Sequence, residues 1–132
     1  MDTFIPPGNA IETSTFWTWM GDDGICRTKT KPMAEIELAD AIENTIAVTG
    51  FYTSKKFPLL IDARPIKYMS REARKHFSTN DRETVINSFA VMVKSPLSKV
   101  IGNFFMGINK PEVPARLFDK EEDALNWLKK FR

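Results

Sequence analysis

The chain has 132 residues, a length at which one domain buries roughly two thirds of the surface of its unfolded chain. A hydrophobic fraction of 42% and a charged fraction of 27%, with both signs spread along the chain, exclude a disordered or fibrous protein. The net charge of +2 is too small for a nucleic-acid-binding protein, in which a strongly basic stripe is expected.

The N-terminal residues predict an arm outside the folded unit. Residues 1–9 contain Pro6, Pro7 and Gly8, so we predict a flexible arm followed by a single domain at residues 10–132. No signal peptide is recognisable, and no apolar stretch approaches the roughly 20 residues that span a bilayer. The single cysteine, Cys26, excludes an intrachain disulfide. We therefore expect a cytoplasmic protein without a transmembrane segment.

The first part of the domain predicts two strands and a helix. Apolar and polar residues alternate over 11–20, a turn sequence occupies 21–24, and strand-type residues follow at 25–30, which together predict an antiparallel hairpin. Between residues 35 and 52 the apolar residues recur at roughly helical spacing and predict a first helix that ends near Gly50. These apolar residues are Leu38, Ala41, Ile42, Ile46 and Val48.

The middle of the chain predicts two buried strands with a helix between them. The continuous apolar run at 57–62 is typical of a central strand that is covered on both faces. Ser70 then lies where it can cap a second helix, with Glu72 in its first turn, and this helix is extended or restarted over 80–84. The apolar run at 88–93 predicts the second buried strand.

The last part of the chain begins with the clearest amphipathic helix, which Ser95 and Pro96 introduce as an N-cap and a first-turn proline. Its apolar residues follow the i, i+3, i+4, i+7, i+8 rule; they are Leu97, Val100, Ile101, Phe104, Phe105 and Ile108. A short strand at 115–118 precedes a last helix at about 120–131, with Asp119 and Glu122 as its capping pair. The order of elements predicts an α/β fold with an N-terminal antiparallel hairpin, a mostly parallel sheet of about five strands, and about four helices.

Three stretches resemble a known family: PLLIDARP from Pro58, FAVMVKSPLSKVIGNFF from Phe89 and ARLFDKEEDALNWL from Ala115. Together with the hairpin they are similar to the SpoIIAA-like group of the STAS domain superfamily, the sulphate transporter and anti-sigma factor antagonist fold, in its short stand-alone bacterial form. The resemblance covers the chain from about Ala10 onward. Its most specific residues are Phe118, Asp119, Ala124, Trp127 and Leu128. Because most of these are packing residues, the resemblance implies a fold more than an activity.

Ser70 is the candidate regulatory residue that the resemblance implies. The family's best-known members carry a serine in an Asp-Ser-Ser-Gly type loop, which a partner kinase phosphorylates. The equivalent stretch here, residues 67–73, contains a single serine without the preceding acid or the glycine. A phosphate on Ser70 would be stabilised by the helix N-terminus and by Arg71 or Arg74. Helix capping alone also accounts for this serine.

Candidate catalytic residues are few. His76 is the only histidine, and its basic neighbours are typical of a solvated helix face. Cys26 lies in a predicted strand, where a free cysteine is usually a small buried hydrophobe. No acidic cluster has the spacing of a metal site, and no glycine-rich phosphate loop is present. We therefore predict that the protein is not an enzyme and that it has no cofactor and no bound metal.

A basic block is the first candidate working surface. Residues 55–75 contain seven basic residues against Asp62 and Glu72, a net charge of +5 that leaves −3 for the remainder of the chain. This asymmetry would suit an anion, a phosphorylated partner or an acidic lipid headgroup, although solvated charges on an ordinary helix face give the same pattern. The candidate residues are Arg64, Lys67, Arg71, Arg74 and Lys75.

An apolar helix face is the second candidate. Phe104, Phe105 and Met106 are consecutive, and adjacent helical residues point about 100° apart, so they cannot all face the sheet. The first helix, a second copy of the chain in a homodimer, or an apolar ligand would cover the exposed part. The CRAL-TRIO lipid-binding fold, which is similar in architecture, makes a lipid one such ligand.

Two functions remain open from the sequence. The first is a non-enzymatic regulatory or protein-binding module of STAS type that acts through the Ser70 turn and the basic helix beside it. The second is a carrier or sensor of an apolar small molecule such as a lipid. Neither hypothesis involves nucleic acid.

Overall fold

The computed structural model describes residues 4–77, 85–107 and 113–132, and it describes residues 104–107 by their backbone alone. The strands are β1 (Ile11–Glu12), β2 (Phe16–Met20), β3 (Cys26–Thr30), β4 (Glu35–Ile36), β5 (Phe57–Asp62), β6 (Tyr68–Met69), β7 (Ile86–Met92) and β8 (Ala115–Phe118). The helices are α1 (Leu38–Thr49), α2 (Arg71–Phe77), α3 (Pro96–Gly107) and α4 (Glu121–Leu128), and a 3₁₀ turn at Lys129–Phe131 follows α4.

The main sheet has the predicted mixed topology. Its strand order is β1-β2-β3-β5-β7-β8, with antiparallel pairing from β1 to β3 and parallel pairing from β3 to β8. Strand β5 lies inside the sheet and every one of its residues is buried, as its uninterrupted apolar run predicts. The predicted α/β fold class is confirmed. A small parallel pair, β4 with β6, forms a second sheet beside it.

Two local predictions were wrong. The strand predicted over 11–20 is divided into β1 and β2 by a turn in which the Phe16 N–H donates to Thr13 Oγ1 at 3.1 Å, so a β1–β2 pair extends the sheet. Asp119 does not cap α4: Lys120 occupies the N-cap position without a side-chain cap bond. The acidic residues in the first turn of α4 still stabilise the helix, because they lie at the positive end of its dipole. The predicted continuation of the second helix over 80–84 lies outside the described residues.

The two faces of the sheet are covered differently. Helices α1, α2 and α3 pack on one face, the helix-covered face, over a large apolar core that includes Phe16, Leu59 and Phe89. Helix α4 packs on the other side over β5, β7 and β8, where Ala124 and Leu128 contact a smaller core. Because side chains alternate along a strand, Trp17 and Trp19 of β2 and the cations of β3 lie on this second side, next to the sheet area that α4 covers. We call this side the open face.

A polar cluster joins α1 to the helix-covered face. Asn44 of α1 is buried and its amide donates to the hydroxyls of Thr18 and Thr28, which are themselves 3.0 Å apart across the hairpin. Burying these groups is tolerable because they satisfy one another. At the other end of this face, Gly102 lets α3 approach closely, since a Cβ there would lie 2.6 Å from Val93 Cγ1.

Candidate functional site

Ser70 caps helix α2. It is 3% exposed, and its Oγ accepts a hydrogen bond from the Ala73 N–H at 3.1 Å. Its own N–H donates to the Ile36 carbonyl at 2.9 Å, which ties the start of α2 to β4. The hydroxyl is therefore engaged in the capping role that the sequence offered as one of its two readings.

The basic block does not form one cluster. Lys67, Arg71 and Lys75 are exposed around and after the Ser70 turn, whereas Arg74 on the same helix is half-buried. Arg64 lies elsewhere, at the carboxyl end of β5, where it contacts Asp62. The charge asymmetry of residues 55–75 is thus divided among exposed cations at α2, Arg64 at the carboxyl end of β5, and Lys55 and Lys56 before the start of β5.

Helix α1 carries its largest aliphatic side chains on the outside. Leu38, Ile42 and Ile46 are 40%, 41% and 64% exposed. The residues that face the core are smaller or polar; they are Ala41, Asn44, Ala47 and Val48. Small side chains let the helix lie close to the sheet, and Asn44 serves the threonine pair beneath it. The apolar spacing that predicts the helix therefore does not identify its buried face.

The exposed row of α1 borders α2. Thr45 Oγ1 and His76 Nε2 are 2.8 Å apart and join the two helices, and the ring of His76 also contacts that of Phe77 edge-on. The expectation of a solvated histidine was wrong, because His76 is half-buried between the helices. We use the name outer helix surface for the exposed aliphatic row of α1 together with the exposed basic residues of α2 and of the turn before it. Its members are Leu38, Ile42, Ile46, Lys67, Arg71 and Lys75.

The candidate apolar face of α3 is described in part. Leu97 and Val100 are exposed and Ile101 is buried, so this helix presents apolar groups both to the core and outward. The side chains of Phe104, Phe105 and Met106 lie outside the described residues, and their part in a ligand or dimer surface stays a prediction.

Asp62 joins two cations at the edge of the sheet. Its carboxylate accepts hydrogen bonds from Lys29 Nζ at 2.8 Å and from the Nε and Nη2 of Arg64 at 2.9 and 2.8 Å. Burial is the largest influence on the pKa of Asp62 and raises it, but the hydrogen bonds and charges of Arg64 and Lys29 together outweigh burial and hold that pKa below its ordinary value. Asp62 is thus a carboxylate that fixes two cationic side chains in place.

The single cysteine, Cys26, is buried. Burial raises the pKa of the Cys26 thiol to about 12, so this cysteine is protonated at neutral pH and unsuited to nucleophilic attack.

Across residues 4–77, 85–107 and 113–132, no three His, Cys, Asp or Glu side chains come together as a metal site would need. None of the helices in this part of the chain is long and apolar enough to cross a membrane.

Sequence reasoning missed two features of this geometry. The pairing of Lys29 with Asp62 joins residues of adjacent parallel strands; the available signal was an acidic residue that ends an apolar strand. The outward row of α1 also had a signal, because Ala41, Asn44 and Val48 at i, i+3 and i+7 form a small-residue face of the kind that packs closely on a sheet.

The architecture can be compared with known folds. It is a mostly parallel sheet that begins with an antiparallel hairpin and carries α1, α2 and α3 on one face. A solved structure with the same architecture is that of an uncharacterized protein from the DUF3478 family with a SpoIIAA-like fold, from Shewanella loihica PV-4. Its TM-score is 0.58 and its identity 17%, over 86% of this chain and 91% of that chain. The resemblance drawn from the sequence is confirmed for the fold.

The family is shown by a separate comparison. A family model described as a domain of unknown function, DUF7793, matches residues 18–132, and the chain belongs to this family. The solved structure of a protein with unknown function from Arthrobacter sp. FB24 is 29% identical over 84% of this chain and 96% of that chain, with a TM-score of 0.33. No curated protein matches the sequence.

Proposed function

We propose that this protein is a non-enzymatic regulatory module that binds an acidic, partly apolar segment of a partner protein through the outer helix surface. The observation that carries the proposal is the orientation of α1, whose aliphatic side chains point outward while smaller side chains face the core. The regulatory character rests on the resemblance to STAS domains. The solved neighbour supports the fold and is itself uncharacterised.

The aliphatic row has the geometry of a binding surface. Leu38, Ile42 and Ile46 repeat at i, i+4 and i+8, so they form a continuous line along the helix. Complete burial of one such side chain is worth about 1.5–3 kcal/mol, and a partner that covers the row would recover what the fold leaves exposed. Contiguous exposed apolar groups beside polar ones are typical of protein interaction sites.

The exposed charges of α2 and of the turn before it would select the partner. Lys67, Arg71 and Lys75 are exposed on α2 and in the turn before it, and an acidic segment that extends from the row across α2 would complement them. Glu72 and Glu43, which are also exposed on these helices, would disfavour a purely anionic ligand such as free phosphate. An amphipathic acidic peptide satisfies both the apolar row and the basic patch.

The alternative of a lipid carrier lacks support. Beneath α1 and α2 the core contains a cavity of about 10 Å³, bordered by Phe16, Asn44 and Phe77 among others. A cavity needs about 10–15 Å³ to hold a single water molecule, so this space cannot accept an acyl chain. The described residues that border this cavity include none from α3, so the predicted ligand surface at Phe104 and Phe105 stays a prediction. The outward row of α1 is the observation that favours protein binding.

The test selects peptides from a displayed random library on the full chain. We expect the enriched sequences to be acidic, with apolar residues at helical spacing. A labelled synthetic peptide from this set should bind the double variants Ile42→Ser/Ile46→Ser and Arg71→Glu/Lys75→Glu at least about tenfold more weakly, a difference of about 1.4 kcal/mol in binding free energy. Fluorescence anisotropy measures each dissociation constant.

Matched controls change the same chemistry elsewhere. Leu97→Ser/Val100→Ser removes exposed aliphatic groups from α3, and Lys129→Glu/Lys130→Glu reverses exposed charges after α4; both should bind within about twofold of the parent. Enriched peptides without acidic residues, or equal binding by parent and α1 variants, would contradict the proposal. A self-association in sedimentation that Ile42→Ser/Ile46→Ser abolishes would replace the partner protein with a second copy of the chain.

A further inference from the structure

We propose that the open face carries a second, unrelated binding site, a cleft for a small aromatic anion. Its planar ring would lie at the aromatic end of the cleft, beside Trp19 and Phe4. Its carboxylate or phosphate group would lie at the basic end, where Lys29, Arg64 and Lys94 meet. The site is independent of the outer helix surface, and either proposal can fail without the other.

The cleft consists of two adjoining depressions. The first has a volume of about 210 Å³ and is bordered by Phe4, Trp19, Lys29 and Arg64 among others. The second has a volume of about 220 Å³ and is bordered by Lys29, Arg64, Pro65 and Lys94. Lys29 and Arg64 line both depressions, so the two adjoin at these side chains, and the proposal places one ligand across them. The first depression is more than ten times the about 10–15 Å³ that a single water molecule needs, which leaves room for one substituted benzene ring.

The position of the cleft agrees with the topology. Lys29 and Asp62 are register partners on β3 and β5, and Asp62 is in turn a register partner of Met92 on β7. Arg64 and Lys94 follow the ends of β5 and β7 by two residues. Three adjacent parallel strands thus each bring a cation to the same carboxyl edge, which is where α/β sheets bind ligands.

The balance of charge leaves this edge positive. Asp62 is the carboxylate that contacts Lys29 and Arg64 there, and Lys94 adds a third cation to the second depression. The side chains of Lys29 and Asp62 are 13% and 8% exposed. Because the surrounding side chains restrict both groups, the ion pair has a fixed geometry. Cations fixed in this way bind anionic oxygens with charge-assisted hydrogen bonds.

The other end of the first depression is less positive and more apolar. Arg27 lines it but forms an ion pair with Asp23 at 2.7 Å, and Glu121 adds a further carboxylate. The Phe4 ring lies 5.6 Å from that of Trp19 at an interplanar angle of 27°. An uncharged ring is favoured at this end and the anionic group at the other, so the cleft itself orients the ligand.

The test titrates the isotope-labelled full chain and follows amide and indole signals by NMR. The probes are phenyl phosphate and benzoate, with inorganic phosphate and benzyl alcohol as the two halves of the ligand. We expect an aryl anion to shift both the Trp19 indole N–H and the Lys29, Arg64 and Lys94 amides saturably, and to bind at least about tenfold more tightly than either half. Comparison of the two aryl anions distinguishes a phosphate from a carboxylate ligand.

Lys94→Ala is the decisive variant, because Lys94 is exposed and its loss should leave the fold intact. It should weaken the aryl anion at least about fivefold, whereas Lys130→Ala, which removes the same charge after α4, should remain within about twofold. Trp19→Leu should weaken aryl anions but not inorganic phosphate. Absence of saturable shifts, equal binding by Lys94→Ala and Lys130→Ala, or shifts confined to α2 would overturn the proposal.

Discussion

The two faces of one sheet are stabilised by different chemistry. On the helix-covered face, α1, α2 and α3 bury a large apolar core and a satisfied polar cluster formed by Thr18, Thr28 and Asn44. On the open face, α4 packs over β5, β7 and β8. The hairpin instead contacts the Phe4 ring through its tryptophans, and the cations of β3 form ion pairs there. Strand β3 contributes to both faces, with Cys26 and Thr28 inward and Arg27 and Lys29 on the other side.

The difference shows where the fold leaves room for ligands. Among the described residues beneath α1 and α2, the helix-covered face leaves a core cavity of only about 10 Å³, and the surface that we propose for binding there is the outside of the helices. The open face carries the two depressions of the proposed cleft, with volumes of about 210 and 220 Å³. A partner protein therefore suits the first face and a small molecule the second.

Asp62→Asn gives the largest effect that we expect. The variant keeps the shape of the side chain but removes the charge that pairs with Lys29 and Arg64. Breaking an ion pair that is mostly buried should cost about 3 kcal/mol of unfolding free energy. Urea unfolding followed by circular dichroism measures it. The matched control is Asp22→Asn in the exposed hairpin turn, which should stay within about 0.5 kcal/mol of the parent.

The ion pairs of Asp62 also predict that the stability of the fold depends on pH. The pKa of Asp62 is lower in the folded chain than its ordinary value, so the unfolded chain binds this proton more readily. The stabilisation is fully present above the ordinary aspartate pKa of about 3.9 and is lost as the pH falls toward the folded-state pKa. The difference in unfolding free energy between the parent and Asp62→Asn should therefore become smaller below about pH 4. A constant gap would show that the charge of Asp62 does not stabilise the fold.

Asn44→Ala and Ile42→Ala compare the two sides of α1. Loss of the buried amide should cost about 2 kcal/mol, because Thr18 and Thr28 lose a donor and a cavity remains. Ile42 is partly exposed, and alanine favours the helix, so Ile42→Ala should change the unfolding free energy by no more than about 0.5 kcal/mol. Urea midpoints decide between them. An Ile42→Ala cost as large as that of Asn44→Ala would place Ile42 in the core and remove the basis of the proposed partner surface.

Much of the fold could be predicted because its signals are local. The apolar runs that became β5 and β7 indicate strands buried on both faces, and Ser70 indicates a helix start that the Ala73 N–H confirms. The break between β1 and β2 was not predictable from alternation, since Thr13 accepts its hydrogen bond without disturbing the pattern of residues on either side.

The candidate sites were harder to predict because they depend on contacts between distant residues. The basic block suggested one surface, yet Arg64 pairs with Asp62 and lies beside Lys29, which is 33 residues from Asp62 in sequence. The outward orientation of the aliphatic row of α1 was not predicted for a different reason. Periodicity reports that apolar residues share a face, whereas burial also depends on which face carries side chains small enough to fit against the sheet.

Phe4→Ala gives the smallest effect and tests whether the open face includes the N-terminal residues. The sequence predicts a flexible arm over residues 1–9, whereas the Phe4 ring lies 5.2 Å from that of Trp17 and 5.6 Å from that of Trp19, with Lys29 Nζ 5.1 Å from its centre. Loss of these ring contacts should cost about 1 kcal/mol and shift tryptophan emission to longer wavelength. Ile5→Ala, which changes a side chain that is 84% exposed, should leave both quantities as they are. If Phe4→Ala behaves like Ile5→Ala, the arm is free in solution and the aromatic end of the cleft consists of Trp19 without its neighbour.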